Sequence, residues 1–102
     1  MTKMELKECK SLEEVRTEID KLDDQIVELI GERNGYIKQA ARFKNTVDEV
    51  KNPERIDEII AKVRHKALAL GMSANLLEEI YTIMINEMVE SEIAEFRNSS
   101  VF

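Results

Sequence analysis

The sequence is poor in the residues that break, staple or decorate a chain. It holds no tryptophan, one proline, one cysteine, one histidine and three glycines. A lone thiol, Cys9, excludes an internal disulfide, and with only His65 beside it no recognised zinc spacing can be assembled, so no metal and no cofactor is expected. Scarce Gly and Pro remove the turn chemistry that hairpins need, and no strand-like alternation occurs, so sheet architectures fall away. Basic residues are outnumbered, 15 against 21 acidic, for a formal net charge of −6. That balance argues against non-specific nucleic-acid binding, which needs a basic surface. No apolar run is long enough for a signal peptide or a membrane span. The expectation is a cytoplasmic chain in a reducing compartment, with neither nucleic acid nor membrane as partner.

What is abundant is Ala, Leu, Ile, Glu and Lys, the residues of a soluble helical domain. A chain of 102 residues makes one such domain. Ser11 followed by Glu14 is a capping-box signature and starts the first helix. From there Leu12, Val15, Ile19, Leu22, Ile26, Leu29, Arg33, Tyr36, Ala40 and Phe43 step by threes and fours, and the spacing fails only at "NTVDEVKN". This predicts a helix of about 34 residues, or roughly 50 Å. The "NPER" segment opens a second helix, with Asn52 as N-cap and Pro53 at the first helical position, and Gly71 stops it. A third starts near Ser73 and carries Leu77, Ile80, Tyr81, Met84, Met88, Ile93 and Phe96. The fold class is all-α, three helices per chain with one very long N-terminal helix. A helical domain over 11–97 lies between a mobile tail at 1–10 and a C-terminal tail at 98–102.

A compact domain of about 100 residues has a radius of gyration near 13 Å, so a 50 Å rod overhangs it. Two shorter helices cannot cover its whole stripe, whereas a second copy of the chain can. An intertwined homodimer is expected. Gly31 and Gly35 have two readings: a close helix crossing, or tolerated glycines on a solvated face.

Arg33 interrupts the core stripe, and Lys44 follows eleven residues later. At 100° per residue the two lie roughly 20° apart in azimuth and about 16 Å apart along the axis, a spacing that suits a small anion with two charged ends. Arg16 is about 25 Å from Arg33 on the same helix and can reach such a site only across a dimer. Arg55, in the first turn of helix two, runs against the dipole preference and is better tolerated where an anion binds. Each has a plainer reading: a paired core arginine, a snorkelling lysine, a solvated arginine. On helix three Glu92, four residues after Met88, interrupts an apolar face, with Glu95 as rival where the helix is expected to fray. Its plainer reading is a salt bridge to an inward cation. The loop 45–51 is read as a connector or as a lid closing over a bound anion. His65 reads as a surface or boundary residue, and Cys9 as part of the tail.

The segments "EVRTEIDKLDDQIVELIGER", "YIKQAARFK", "NPER" and "INEMVESEIAEF" resemble the AroQ-type, all-helical chorismate mutases, and among them the isochorismate–pyruvate lyases that make salicylate. The likeness covers about residues 11 to 97 and is carried most specifically by Arg16, Arg33, Lys44 and Arg55 in order. It implies an intertwined dimer with two shared sites. By resemblance, Arg16 from the partner subunit and Arg33 hold the carboxylates of a small dianionic substrate. Lys44 bonds a carboxylate and the ether oxygen, Arg55 follows a mobile loop, and Asn52 falls near the ring hydroxyl. The family often has glutamine where Glu92 stands, and some members carry a polar group where Met88 stands. A carboxylate cannot donate a hydrogen bond, so Glu92 takes the glutamine's part only when protonated, and the sequence leaves its protonation state open.

The activity so implied is chorismate mutase, the pericyclic conversion of chorismate to prephenate in aromatic amino acid biosynthesis. The alternative reaction is isochorismate cleavage to salicylate and pyruvate. An alternative of another class is a non-enzymatic helical dimerisation module, whose charged stripe specifies a partner.

Overall fold

The computed structural model describes residues 5–100 of the chain, and all of its regular structure is helical. Residues 1–4 and 101–102, the ends of the two expected tails, lie outside the described residues. Helix α1 spans Leu12–Ala41, α2 Val47–Lys51, α3 Pro53–Ala69 and α4 Ala74–Ser100. No described helix is long and apolar enough to cross a membrane.

Local chemistry sets each boundary. At the start of α1 the Ser11 Oγ accepts from the Glu14 N–H at 3.1 Å, and the Glu14 carboxylate reaches back to the Lys10 N–H at 2.9 Å. The pair resembles a capping box whose return bond is made one residue early, to Lys10 rather than to the N-cap Ser11. The helix ends earlier than its apolar spacing implies. After Ala41 the amides of Arg42, Phe43 and Lys44 bond to Gln39, Ala40 and Ala41, three residues back, which tightens the last turn and closes the helix. Lys44 therefore stands in the connector, and 100° per residue no longer describes where its side chain points. Phe43, read as the last member of the stripe, is exposed.

The connector also differs from a plain loop. Thr46 caps α2 by accepting from the Glu49 N–H at 3.1 Å, and the Glu49 carboxylate accepts from the Asn45 N–H at 3.0 Å. Thr46-x-x-Glu49 repeats this arrangement, the return bond again going to the residue before the N-cap. The result is one short helix inside a segment read as irregular, in addition to the three expected helices. Asn52 then ends α2 and starts α3. Its φ of 31° and ψ of 70° place it in the left-handed region, its N–H donates to the Asp48 carbonyl at 3.1 Å, and its Oδ1 accepts from the Arg55 N–H at 3.3 Å. Pro53 occupies the first turn of α3, where a missing N–H costs nothing. Gly71, with φ of 75°, turns the chain after α3. The Ser73 Oγ receives the Leu76 N–H at 3.2 Å as α4 begins.

The chain divides into two compact units, Met1–Arg33 and Asn34–Phe102. In the second, α3 and α2 both pack on α4. The buried apolar side chains are Ala41, Val50, Ala67, Ala74, Ile85, Met88 and Ile93. Each larger one contributes about 1.5–3 kcal/mol by leaving water. Arg64 braces the α3–α4 hairpin, its Nη1 donating to Asn75 Oδ1 at 2.9 Å and Glu78 Oε1 at 2.8 Å. Helix α4 continues past Glu95 to Ser100 where fraying was expected, and Glu95 faces Arg42 at 4.0 Å. In the first unit the apolar stripe of α1, including Leu12, Val15, Ile19, Leu22, Ile26 and Leu29, is exposed along its length. Gly31 and Gly35 would each accept a Cβ with nothing within 4 Å.

Candidate active site

The geometry centres on Lys44. Leaving α1 through its tightened turn, the side chain extends to α4, where its Nζ donates to Glu92 Oε2 at 3.0 Å. A second donor goes to the backbone carbonyl of Glu49 in α2 at 3.3 Å. Glu92 is 4% exposed and its neighbour one turn earlier, Met88, 6%. Lys44 is partly covered, with 23% of its side chain exposed. The period of α4 places Glu92 and Met88 on the face turned to the core, and Glu87 and Glu90 on the solvent side, as the spacing predicts. A buried carboxylate needs a partner, and Lys44 is that partner.

Beside this pair lies a cleft of about 380 Å³, lined by Lys44, Asp48, Glu49, Asn52, Pro53 and Glu54. The side chain of Asn52 caps α3 and its backbone turn shapes the rim. Arg55 points its Nη1 at Glu58 Oε1 at 3.0 Å on the exposed surface of α3. The structure thus brings Lys44 and Asn52 to the cleft and Glu92 to Lys44, while neither Glu92 nor Met88 lines the cleft itself. It gives Arg55 a carboxylate neighbour of its own. Arg16 and Arg33 belong to the first unit, Arg16 exposed and Arg33 half-buried, both on α1.

Two features were not foreseen from the sequence. One is the Glu49 carbonyl as an acceptor for Lys44, and the other is the acid content of the rim, with Asp48, Glu49 and Glu54 around one lysine. The Thr46-x-x-Glu49 pattern is the signal that would have revealed the first, because a helix there fixes where the Glu49 carbonyl points. Among the described residues, no group of three or more His, Cys, Asp or Glu is placed to hold a metal. His65 is exposed, and Cys9 is partly covered in the segment before α1.

What such a site does chemically is bind and restrain. An ammonium with two fixed acceptors and a shaped cleft can hold an anion and stabilise charge on one oxygen. It offers no activated nucleophile. Residues 15–93 match the family model described as chorismate mutase type II. The chain is 28% identical over 92 residues to the isochorismate pyruvate lyase of Pseudomonas aeruginosa, covering 90% of this chain and 91% of that protein. It is 31% identical over 87 residues to the chorismate mutase of Methanocaldococcus jannaschii, covering 82% of this chain and 88% of that protein. The reading as a non-enzymatic interaction module is thereby set aside, and the chain belongs to the chorismate mutase type II family of enzymes.

Proposed function

We propose that the protein is a chorismate mutase that converts chorismate to prephenate in aromatic amino acid biosynthesis, acting in the cytoplasm as a homodimer with shared sites. What carries this reading is Lys44 at the cleft with Glu92 behind it at 3.0 Å, two positions where the family resemblance expects the groups that face the ether oxygen. The reaction is a pericyclic shift, so the protein needs only to select the reactive conformer and stabilise the transition state. Lys44 supplies a point charge for the ether oxygen as the C–O bond lengthens. Lys44 engages Oε2 of Glu92, and Oε1 is the oxygen that carries a proton when Glu92 donates. Asn52 shapes the rim, and Met88 is buried one turn before Glu92 on the same helix.

Charge balance favours a site completed by other residues. The cleft's own lining offers one lysine against Asp48, Glu49 and Glu54, which does not suit a dianion. Arg33, together with Arg16 from a second copy, would supply guanidinium forks that fit carboxylates two oxygens at a time. Arg55 would join them by leaving Glu58, an exposed partner that costs little to give up. The exposed stripe of α1 supports the second copy, since six or more large apolar side chains on one helix face call for a cover.

Isochorismate cleavage is the second reading, favoured by the relative from Pseudomonas aeruginosa, which aligns over nine-tenths of both chains. Supplying purified protein with chorismate and isochorismate in parallel, and following prephenate, salicylate and pyruvate, separates the two. Prephenate from chorismate is the expected product. Rapid salicylate and pyruvate would make the protein a lyase, and turnover of neither would refute both readings.

A further inference from the structure

The place of Pro53 in the chain does more than start α3. A helix that ends on a left-handed residue has two ways to satisfy its last carbonyls. In the Schellman pattern the left-handed residue donates to the carbonyl three positions back, and the next residue donates to the carbonyl five positions before itself. In the simpler left-handed cap the left-handed residue donates four positions back and the next N–H is not used. Here Asn52 is the left-handed residue and the next is Pro53, which has no N–H. The Schellman pattern is therefore closed to this terminus. Asn52 donates to Asp48 at 3.1 Å, and the carbonyl of Glu49 is left without a backbone donor. That carbonyl is the one that receives Lys44 Nζ at 3.3 Å.

We infer that Pro53 is a positioning residue for Lys44, acting by denying the Glu49 carbonyl its backbone partner so that the ammonium takes it. An ammonium has three N–H donors. With one directed to Glu92 Oε2 and one to the Glu49 carbonyl, the direction of the third is fixed, and the cleft lined by both Lys44 and Pro53 lies alongside. If Pro53 carried an N–H, it would take the Asp48 carbonyl. Asn52 would then shift to Glu49, and Lys44 would keep only Glu92 and rotate about that contact. The catalytic part of this inference rests on the proposed mutase reading; the hydrogen-bond exchange does not.

The test separates the N–H from the ring. Pro53→Ala adds a backbone donor, whereas the semisynthetic backbone ester Pro53→lactic acid has alanine's methyl and no donor. Scalar coupling across the hydrogen bond, from the Asn52 amide nitrogen to a carbonyl carbon, reports the acceptor directly. Wild type and the ester should couple to Asp48, and Pro53→Ala to Glu49. In turnover of chorismate, Pro53→Ala should lower kcat by about three- to tenfold more than the ester does, with a smaller effect on KM. An Asn52 acceptor unchanged in Pro53→Ala, or an equal loss of kcat in both variants, would overturn the inference. Were wild type to turn over no substrate, the proposed function would fall, and the coupling measurement would still decide what Pro53 does.

Discussion

Replacing Glu92 by glutamine should push stability and activity in opposite directions. Glu92 is buried and holds Lys44 at 3.0 Å. Glutamine has the same shape and keeps a carbonyl oxygen for the ammonium, so the contact survives as a charge-assisted hydrogen bond, and what goes is the attraction between two full charges. With Lys44 still partly in water, that loss is about 1 kcal/mol. For a domain of this size that lowers the midpoint of thermal unfolding by about 4–8 °C, measured at one fixed protein concentration. Catalysis should respond differently. The amide donates a hydrogen bond as it stands, whereas a carboxyl group donates only as the acid, so Glu92→Gln should raise kcat for chorismate. Initial rates of prephenate formation, beside calorimetry on both proteins, read the two effects. A variant slower than wild type would refute a donating group at this position.

Three further expectations bear on neighbouring residues. Lys44→Ala should lower kcat for chorismate by about 10²–10³-fold, as expected for losing a preorganised charge at the developing oxyanion; a loss under fivefold would remove Lys44 from the site. Arg33→Ala should abolish turnover while sedimentation still finds the homodimer, and dissociation into single chains would instead make Arg33 a residue of assembly. Gly31→Ala and Gly35→Ala should each raise stability by up to about 1 kcal/mol, because a Cβ there meets nothing within 4 Å and alanine is the better helix former. Loss of the dimer in either would show that the glycines seat a second helix.

Much of this architecture can be read from short-range chemistry. Ser11 with Glu14, Asn52 with Pro53, and Gly71 mark helix ends because capping is decided within about four residues, and the structure places helix ends beside all three. The inward placement of Met88 and Glu92 follows from the period of α4 for the same reason. The end of α1 was less accessible. Apolar spacing carries through Tyr36, Ala40 and Phe43, yet the backbone closes after Ala41, and nothing in a period of 3.6 reports a switch to three-residue hydrogen bonding. The plainer reading of Glu92, a salt bridge to an inward cation, is the contact the structure shows, with Lys44 as that cation. The azimuth used to aim Lys44 at an anion ends with the helix at Ala41. The contact of Lys44 with Glu92 spans 48 residues of sequence, and its contact with the Glu49 carbonyl depends on a short helix that the spacing conceals. Such pairings are set by packing, which a linear pattern does not contain.

Asn52 is the whole connection between α2 and α3: its backbone closes one helix and its side chain opens the next. A linker one residue long has no slack. Any reorientation of α2 against α3 must pass through a single pair of torsion angles, which are already in a sparsely populated region for a residue that is not glycine. The segment should therefore open and close as one piece, its amides exchanging with solvent at a common rate. One extra residue at this point would uncouple the two helices while leaving the composition and charge of the chain almost untouched.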